Sequence, residues 1–323
     1  MECSAQGGPR KRHFAFRVRE FGHVGDGRVI RSVGSLGPAK VVALVLWQLR
    51  YTLLAIVAVV GLLIPVPDAA QNDYAAAVLS VLGIGASVFI AFRNTTAYNR
   101  WWEARTLWGG IIISSRATHN GLTSLTTGSP AMATIADRMR RRQVRYCWQL
   151  AAELRGVPTE PGAIELTPED PAGVSATDLL NRQAGDVAAL AEGGHIDGQG
   201  RVLLMTANTG SATAQSGLER IRNEPVPLHY DLFIQGLAWF FGVMAFSRLD
   251  GSGHHPASIA IGLLLMTTFI AAERLGHFIE QPMNNSVFDI PMYRICGTVT
   301  GNLLGAGHRL AQPRESDRAT VWM

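Results

Sequence analysis

Apolar runs of membrane-crossing length alternate along this chain with stretches crowded with arginine. From Val41 to Ile64 only Gln48 and Arg50 interrupt an apolar segment, which closes at Pro65-Val66-Pro67-Asp68, where two prolines and an aspartate stop a helix. Tyr74 to Phe92 is wholly uncharged, and its 19 residues rise about 28 Å as a helix, close to the hydrocarbon thickness of roughly 30 Å. Two further runs, Leu232 to Phe246 behind Tyr230-Asp231 and Ala257 to Ala272 ahead of Glu273-Arg274, reach a full crossing only with their polar flanks. The pattern predicts four transmembrane helices in an all-α, multi-pass bundle.

The cations set the orientation. Arg10, Lys11, Arg12, Arg17, Arg19, Arg28, Arg31 and Lys40 precede the first span, Arg93, Arg100 and Arg105 follow the second, and Arg274, Arg294 and Arg309 follow the fourth. The loops Pro65 to Asp73 and Ser247 to Pro256 hold only Arg248. The positive-inside rule therefore predicts both termini and the middle of the chain in the cytoplasm of a cell-membrane protein. The expected organisation is a cytoplasmic segment 1–40, a first helix pair 41–92, a cytoplasmic helical region 93–228, a second pair 229–279 and a cytoplasmic tail 280–323. Within the middle region, Ala133 to Arg155 mixes Arg138, Arg140, Arg141, Arg142 and Arg145 with apolar positions, a helix with a basic face. Gly156 to Asp178 is Pro-, Gly- and acid-rich and reads as a loop. Leu179 to Ile221 returns to helix, broken near Gly193-Gly194 and Gly198 to Gly200. No apolar h-region follows the polar start, so no secretory signal peptide is expected.

Composition agrees: 47% of the 323 residues are apolar and 17% charged, against roughly a quarter in soluble domains. Of 29 basic residues only Lys11 and Lys40 are lysines, and no aromatic-interleaved basic platform argues for nucleic acid. Cys3, Cys147 and Cys296 are too scattered for a disulfide framework or a zinc knuckle. Hydrolase, metalloprotease and phosphate-loop motifs are absent, so no enzyme, cofactor or resident metal is expected. One ligand-like spacing occurs, Glu273, His277 and Glu280 on one helix face, which reads first as a charge-paired helix end. Arg50, Asp231 and Glu273 are ionisable residues at membrane depth, hence pathway or pairing residues.

The second run carries the sharpest pattern. Ile84, Val88 and Phe92 recur every four residues and share a helix face, while Ala76, Ser80, Gly83, Gly85 and Ser87 allow neighbouring helices close approach. A lipid-facing helix shows the same stripe, but the small residues favour a packed position.

Directly after it stands Phe92-Arg93-Asn94, then Tyr98, then Arg100-Trp101-Trp102-Glu103-Ala104-Arg105 and Trp108-Gly109. With Glu219-Arg220-Ile221, Pro225-Val226-Pro227-Leu228-His229-Tyr230, Ile279-Glu280-Gln281-Pro282-Met283 and Asp289-Ile290-Pro291-Met292, this string resembles the bestrophin family, in particular its prokaryotic branch. The resemblance extends from about Gly37 to Leu304. It implies a homopentameric ion channel with one axial pore, self-association within membrane lipid, and permeant monovalent ions as partners. It also implies a neck of three apolar rings, mapped here to Ile84, Val88 and Phe92, and a cytoplasmic aperture mapped between Ile196 and Leu204, with Ile196 or Val202 as its residue. Arg93, Asn94, Arg100, Trp101, Trp102, Glu103, Arg105 and Trp108 carry the signature.

One departure stands out. Animal members carry an acidic calcium-binding run after the fourth span, where this chain has Pro282-Met283-Asn284-Asn285-Ser286-Val287-Phe288-Asp289; one carboxylate is too few for a site needing six to eight oxygens, so calcium activation is not expected. The expected mechanism is passive conduction of small ions through a hydrophobic gate, anions favoured if the arginine-rich region lines the vestibule. The rivals are a monovalent cation channel of the same fold, a secondary transporter using Arg50, Asp231 and Glu273, and a membrane-anchored enzyme or metal sensor built on Glu273, His277 and Glu280. The transporter lacks inverted repeats and paired broken spans.

Overall fold

The structure, a computed structural model, describes residues 38–63, 73–125, 130–224, 226–250, 255–284 and 288–312, all within one compact unit. Among the described residues there are ten α-helices and no strand: α1 Pro38–Gln48, α2 Arg50–Leu63, α3 Asp73–Leu125, α4 Pro130–Arg155, α5 Pro161–Ile164, α6 Ala176–Glu192, α7 Gly198–Asn223, α8 Leu228–Asp250, α9 Pro256–Glu280 and α10 Met292–Leu304. Three of them are long and apolar enough to cross a membrane, and a fourth crossing arises if α1 and α2 act as one bent span.

The first expected span is thus not one straight helix. The axis turns by 64° at Leu49. There the Trp47 carbonyl accepts a 2.7 Å hydrogen bond from the Arg50 guanidinium, which lies over the Trp47 and Tyr51 rings at 4.5 and 4.3 Å. Arg50 is therefore satisfied by its own neighbours and pairs with neither Asp231 nor Glu273. The polar flanks of the last two runs join their helices, so α8 and α9 reach 23 and 25 residues.

The dominant element is α3. No proline interrupts its 53 residues, which at about 1.5 Å each run roughly 80 Å. Phe92 and Arg93 are consecutive residues of this one helix, so the boundary expected between them is a change of surroundings, not of backbone. A single buried stripe at alternating steps of three and four runs from Ala86 through Ile90, Ala97, Trp101 and Trp108 to Leu122. In the apolar half the stripe meets α8 through Phe241, Ala245, Ile234 and Ala238, while α2 packs separately on α8 and α9 around Ile56, Phe246 and Met266. In the polar half it meets α4, α7 and α10 around Trp148, Leu218 and Cys296. Glycines on α7 permit close approach there, since a Cβ at Gly217 would lie 2.7 Å from Leu107.

Glycine also ends two helices. After α4, Gly156 adopts φ 66° while the Val157 and Gly156 amides bond back to the Ala152 and Glu153 carbonyls, a closure that requires a residue tolerant of the left-handed region. Gly194 repeats this after α6. Helix α7 then restarts on the Asp197 side chain, which accepts from the Gly200 amide at 2.7 Å, so Gly198 to Gly200 form its first turn and not a second break.

The arginines of α4 do not form an open basic face. Arg145 is fully buried and donates to the Thr167, Asp170, Pro171 and Ala172 carbonyls. Arg142 is buried between Asp170, at 2.8 and 2.9 Å, and Asp186, which Arg138 also contacts at 2.6 Å. These cations fasten onto α4 both α6 and the segment before it, where the expected loop holds the short helix α5 and ends at Ser175, the N-cap of α6. Burial alone favours the neutral Asp170 acid, but the hydrogen bond and charge of Arg142, with Arg182 behind, outweigh it and hold the carboxyl below its ordinary range. A depressed carboxyl stabilises the fold above its unfolded value, about 3.9, and loses that contribution as the pH falls toward its folded value. Asp170→Ala should cost about 3–5 kcal/mol at neutral pH by leaving Arg142 with half its partners, and its melting temperature should vary less between pH 5 and 3 than that of the parent. An unchanged neutral melting temperature would remove the clamp from this account.

Candidate functional site

Arg93 is the first residue after the apolar stripe of α3, and it is almost wholly buried. Its Nη1 donates to the Glu273 carbonyl at 2.8 Å and to Glu273 Oε1 at 3.0 Å. Its Nη2 donates to Asp231 and to Glu280 Oε2 at 3.4 Å, with His277 Nδ1 at 3.3 Å. One guanidinium thus ties α3 to α8 and to three successive turns of α9. Asn94 adds a 3.1 Å bond to the Ala272 carbonyl. Glycine at 276 is needed beneath it, because a Cβ there would collide with the Asn94 amide.

Two turns on, Arg100 closes two helix ends. It donates to the Glu280 carbonyl at 3.1 Å, to the Glu224 carbonyl at 2.7 Å and to the Ile221 carbonyl, satisfying the terminal acceptors of α9 and α7. Trp101 bonds the Phe288 carbonyl at 2.9 Å, and Trp108 lies fully buried in the core. Trp102, Glu103 and Arg105 are exposed instead: Trp102 stacks beside Tyr98, Glu103 pairs with Arg220, and Arg105 lies 5.3 Å over the Trp101 ring. The signature string is therefore mainly a clamp that fixes the apolar part of α3 to the rest of the molecule.

The ligand-like triple of the sequence is regrouped. Asp231, His277 and Glu280 bring ligand atoms within 4.8 Å of one another, whereas Glu273 turns to the other nitrogen of Arg93. What the three share is Arg93 Nη2, so the cluster already encloses a cation. Sequence reading noted Asp231 and Glu273 as membrane-depth ionisable groups but missed their common partner, 138 and 180 residues away. The only sequence signal was that two acids at such depth demand a cation.

Ile84, Val88 and Phe92 are 68%, 47% and 64% exposed on the single chain, on the face of α3 opposite its buried stripe. Of the two aperture residues, Val202 is exposed near the start of α7, while Ile196 is buried with Leu122 and Leu204. Ile196 therefore cannot line an opening in this arrangement, because the turn before α7 points it into the core. Asp289 is buried with Arg155 at 3.7 Å, so the one carboxylate of the 282–289 stretch faces a cation; Asn285 and Ser286 lie outside the described residues, as do Cys3 and 1–37. Cys147 and Cys296 are buried thiols, and burial pushes Cys147 up to about 12, which makes it unreactive.

An all-α protein with crossing-length helices, clamped by an arginine where its apolar half ends, is a membrane protein of the bestrophin class. A family model described as Bacterial/Fungal Bestrophin protein matches residues 28–305, and the chain belongs to that family. The voltage-dependent anion channel-forming protein YneE of Escherichia coli (strain K12) is 28% identical over 231 residues, which is 70% of this chain and 74% of the relative. The voltage-dependent anion channel-forming protein mll4386 of Mesorhizobium japonicum is 26% identical over 227 residues, 67% of this chain and 70% of the relative. A crystal structure of a bacterial bestrophin homolog from Klebsiella pneumoniae, carrying one substitution, superposes with a TM-score of 0.67 at 25% identity, covering 73% of this chain and 88% of that one.

Proposed function

We propose that this protein is a homopentameric channel passing small monovalent anions through an axial pore lined by α3. The observation that carries the reading is the two-faced character of that helix. One stripe is buried along its length, and the opposite face presents Ile84, Val88 and Phe92 outward in a family whose named relatives form anion channels. Five copies of that face make three apolar rings in series, a bore that sheds water and blocks ions until the helices part. In this reading α1 with α2, the first turns of α3, α8 and α9 cross the cell membrane. Both termini and the region 93–228 lie in the cytoplasm, with Val202 at a second constriction, and the protein performs no catalysis. The Arg93 node supports it by anchoring the pore helix one residue below the last ring.

The test is electrical. Purified protein in planar bilayers under asymmetric chloride salt should show currents reversing toward the chloride equilibrium potential, equal in micromolar calcium and in chelator. Reversal toward the cation potential would assign the monovalent cation channel instead. Monomers or dimers by native mass spectrometry, with no current, would end the channel reading.

A further inference from the structure

We propose that Arg116 forms the anion-selecting ring of this channel, one copy from each α3, in the vestibule on the inner side of the neck. The proposal rests on the reading of α3 as the pore helix. Ile113, Arg116 and Asn120 are exposed at steps of three and four, on the half of α3 turned away from its buried stripe, as Ile84, Val88 and Phe92 are in the apolar part. Ser115 and Thr118 between them, and Leu122 just beyond, belong to the buried stripe. At 3.6 residues per turn Arg116 lies nearest in direction to Ile84, about 40° around the helix from it, so its long side chain extends from the uncovered side of α3.

The charges of the surrounding elements narrow the choice. Of the α4 arginines expected to draw anions inward, Arg138 and Arg142 are consumed by Asp186 and Asp170, while Arg140 donates to the Thr123 hydroxyl near the end of α3. On α3 itself Glu103 is answered by Arg220, and Arg105 leans on Trp101. Among the described residues Arg116 has no acidic partner within ion-pair reach, and it is exposed. The uncovered side of α3 thus carries Arg116 together with Arg105 as guanidiniums that no acid answers, and five copies around an axis make a concentrated positive zone whose inner end is the Arg116 ring.

Its position dictates how it works. Arg116 lies 24 residues beyond Phe92, about 36 Å along the helix and several Debye lengths at physiological salt. It cannot act on an ion inside the neck. It acts by enriching anions and depleting cations in the vestibule that feeds the neck, and that enrichment weakens as ionic strength rises.

The experiment compares Arg116→Gln and Arg116→Glu with the parent, reading reversal potentials in asymmetric potassium chloride at low and at high ionic strength. The anion-over-cation permeability ratio should fall severalfold in Arg116→Gln and further in Arg116→Glu, with the differences shrinking at high salt. Arg294→Glu makes the same change of net charge on α10, which packs against α4 and the buried side of α3, and should leave the ratio alone. An unchanged ratio in Arg116→Glu, while neck substitutions still alter conductance, overturns the ring and leaves the gate standing. A second readout needs no current: Arg116→Cys in a Cys3→Ser background, spin-labelled in the purified assembly, should give inter-subunit distances of an inward-facing ring. Distances of an outer rim overturn the proposal.

Discussion

Arg93→Ala should abolish stable assembly of this protein. The substitution leaves Asp231, Glu273 and Glu280 together without their shared partner, with Glu273 and Glu280 both buried and Arg274, 3.7 Å from Glu273 Oε2, beyond hydrogen-bond reach. Removing one partner of a buried pair costs about 3–5 kcal/mol because the other charge stays desolvated, and here one arginine serves three acids. That loss is comparable to the whole stability of many domains, roughly 5–15 kcal/mol. Size-exclusion profiles and thermal melts in detergent should show aggregation or a large drop in melting temperature. Arg93→Lys should be intermediate, because a single ammonium cannot reproduce the two-nitrogen fork that reaches Glu273 on one side and Asp231 on the other. Asp231→Asn, at the most exposed of the three acids, should be tolerated best. Wild-type melting in Arg93→Ala would mean that the cluster does not hold α3 to α8 and α9.

The second large effect is on conduction. On the proposed pore lining, replacing Ile84, Val88 and Phe92 together by alanine should raise conductance or open probability, because a bore ringed by five copies would widen by several side-chain volumes per subunit and admit water. Every ~1.4 kcal/mol taken off the dehydration barrier multiplies passage about tenfold, so even partial wetting is readily measured. These side chains are exposed on the single chain, and the change should leave the fold intact. Val88→Ser, nearly isosteric, should wet the middle ring alone and increase leak. Were the three to face lipid, both variants would conduct as the parent does; unaltered single-channel behaviour in intact pentamers would falsify the gate assignment.

Much of this was legible in the order of residues. Apolar length marks membrane-crossing helices because the hydrocarbon core has a fixed thickness, and the uncharged Tyr74–Phe92 run needed nothing more. The string from Phe92 to Gly109 sufficed to suggest the family, and glycines marked the ends of α4 and α6 because few other residues accept positive φ. The one-turn periodicity of Ile84, Val88 and Phe92 likewise put them on a common face.

Tertiary structure decided what those residues meet. Whether an arginine is a solvated charge or an internal strut depends on acids distant in sequence: Arg142 with Asp170 and Asp186, Arg93 with Asp231, Glu273 and Glu280. No local pattern encodes such pairings, so the basic run of α4 reads as a basic face, whereas Arg142 and Arg145 are buried and Arg138 and Arg141 are paired with acids. The same holds for Ile196 and Val202, near neighbours in sequence that the turn before α7 sends one inward and the other outward. Sequence by itself determined which segments are helical, apolar and able to cross, because those properties are summed over consecutive residues. Only the packed chain determined which charges are neutralised and which face remains free, because burial is a property of residues that meet from far apart.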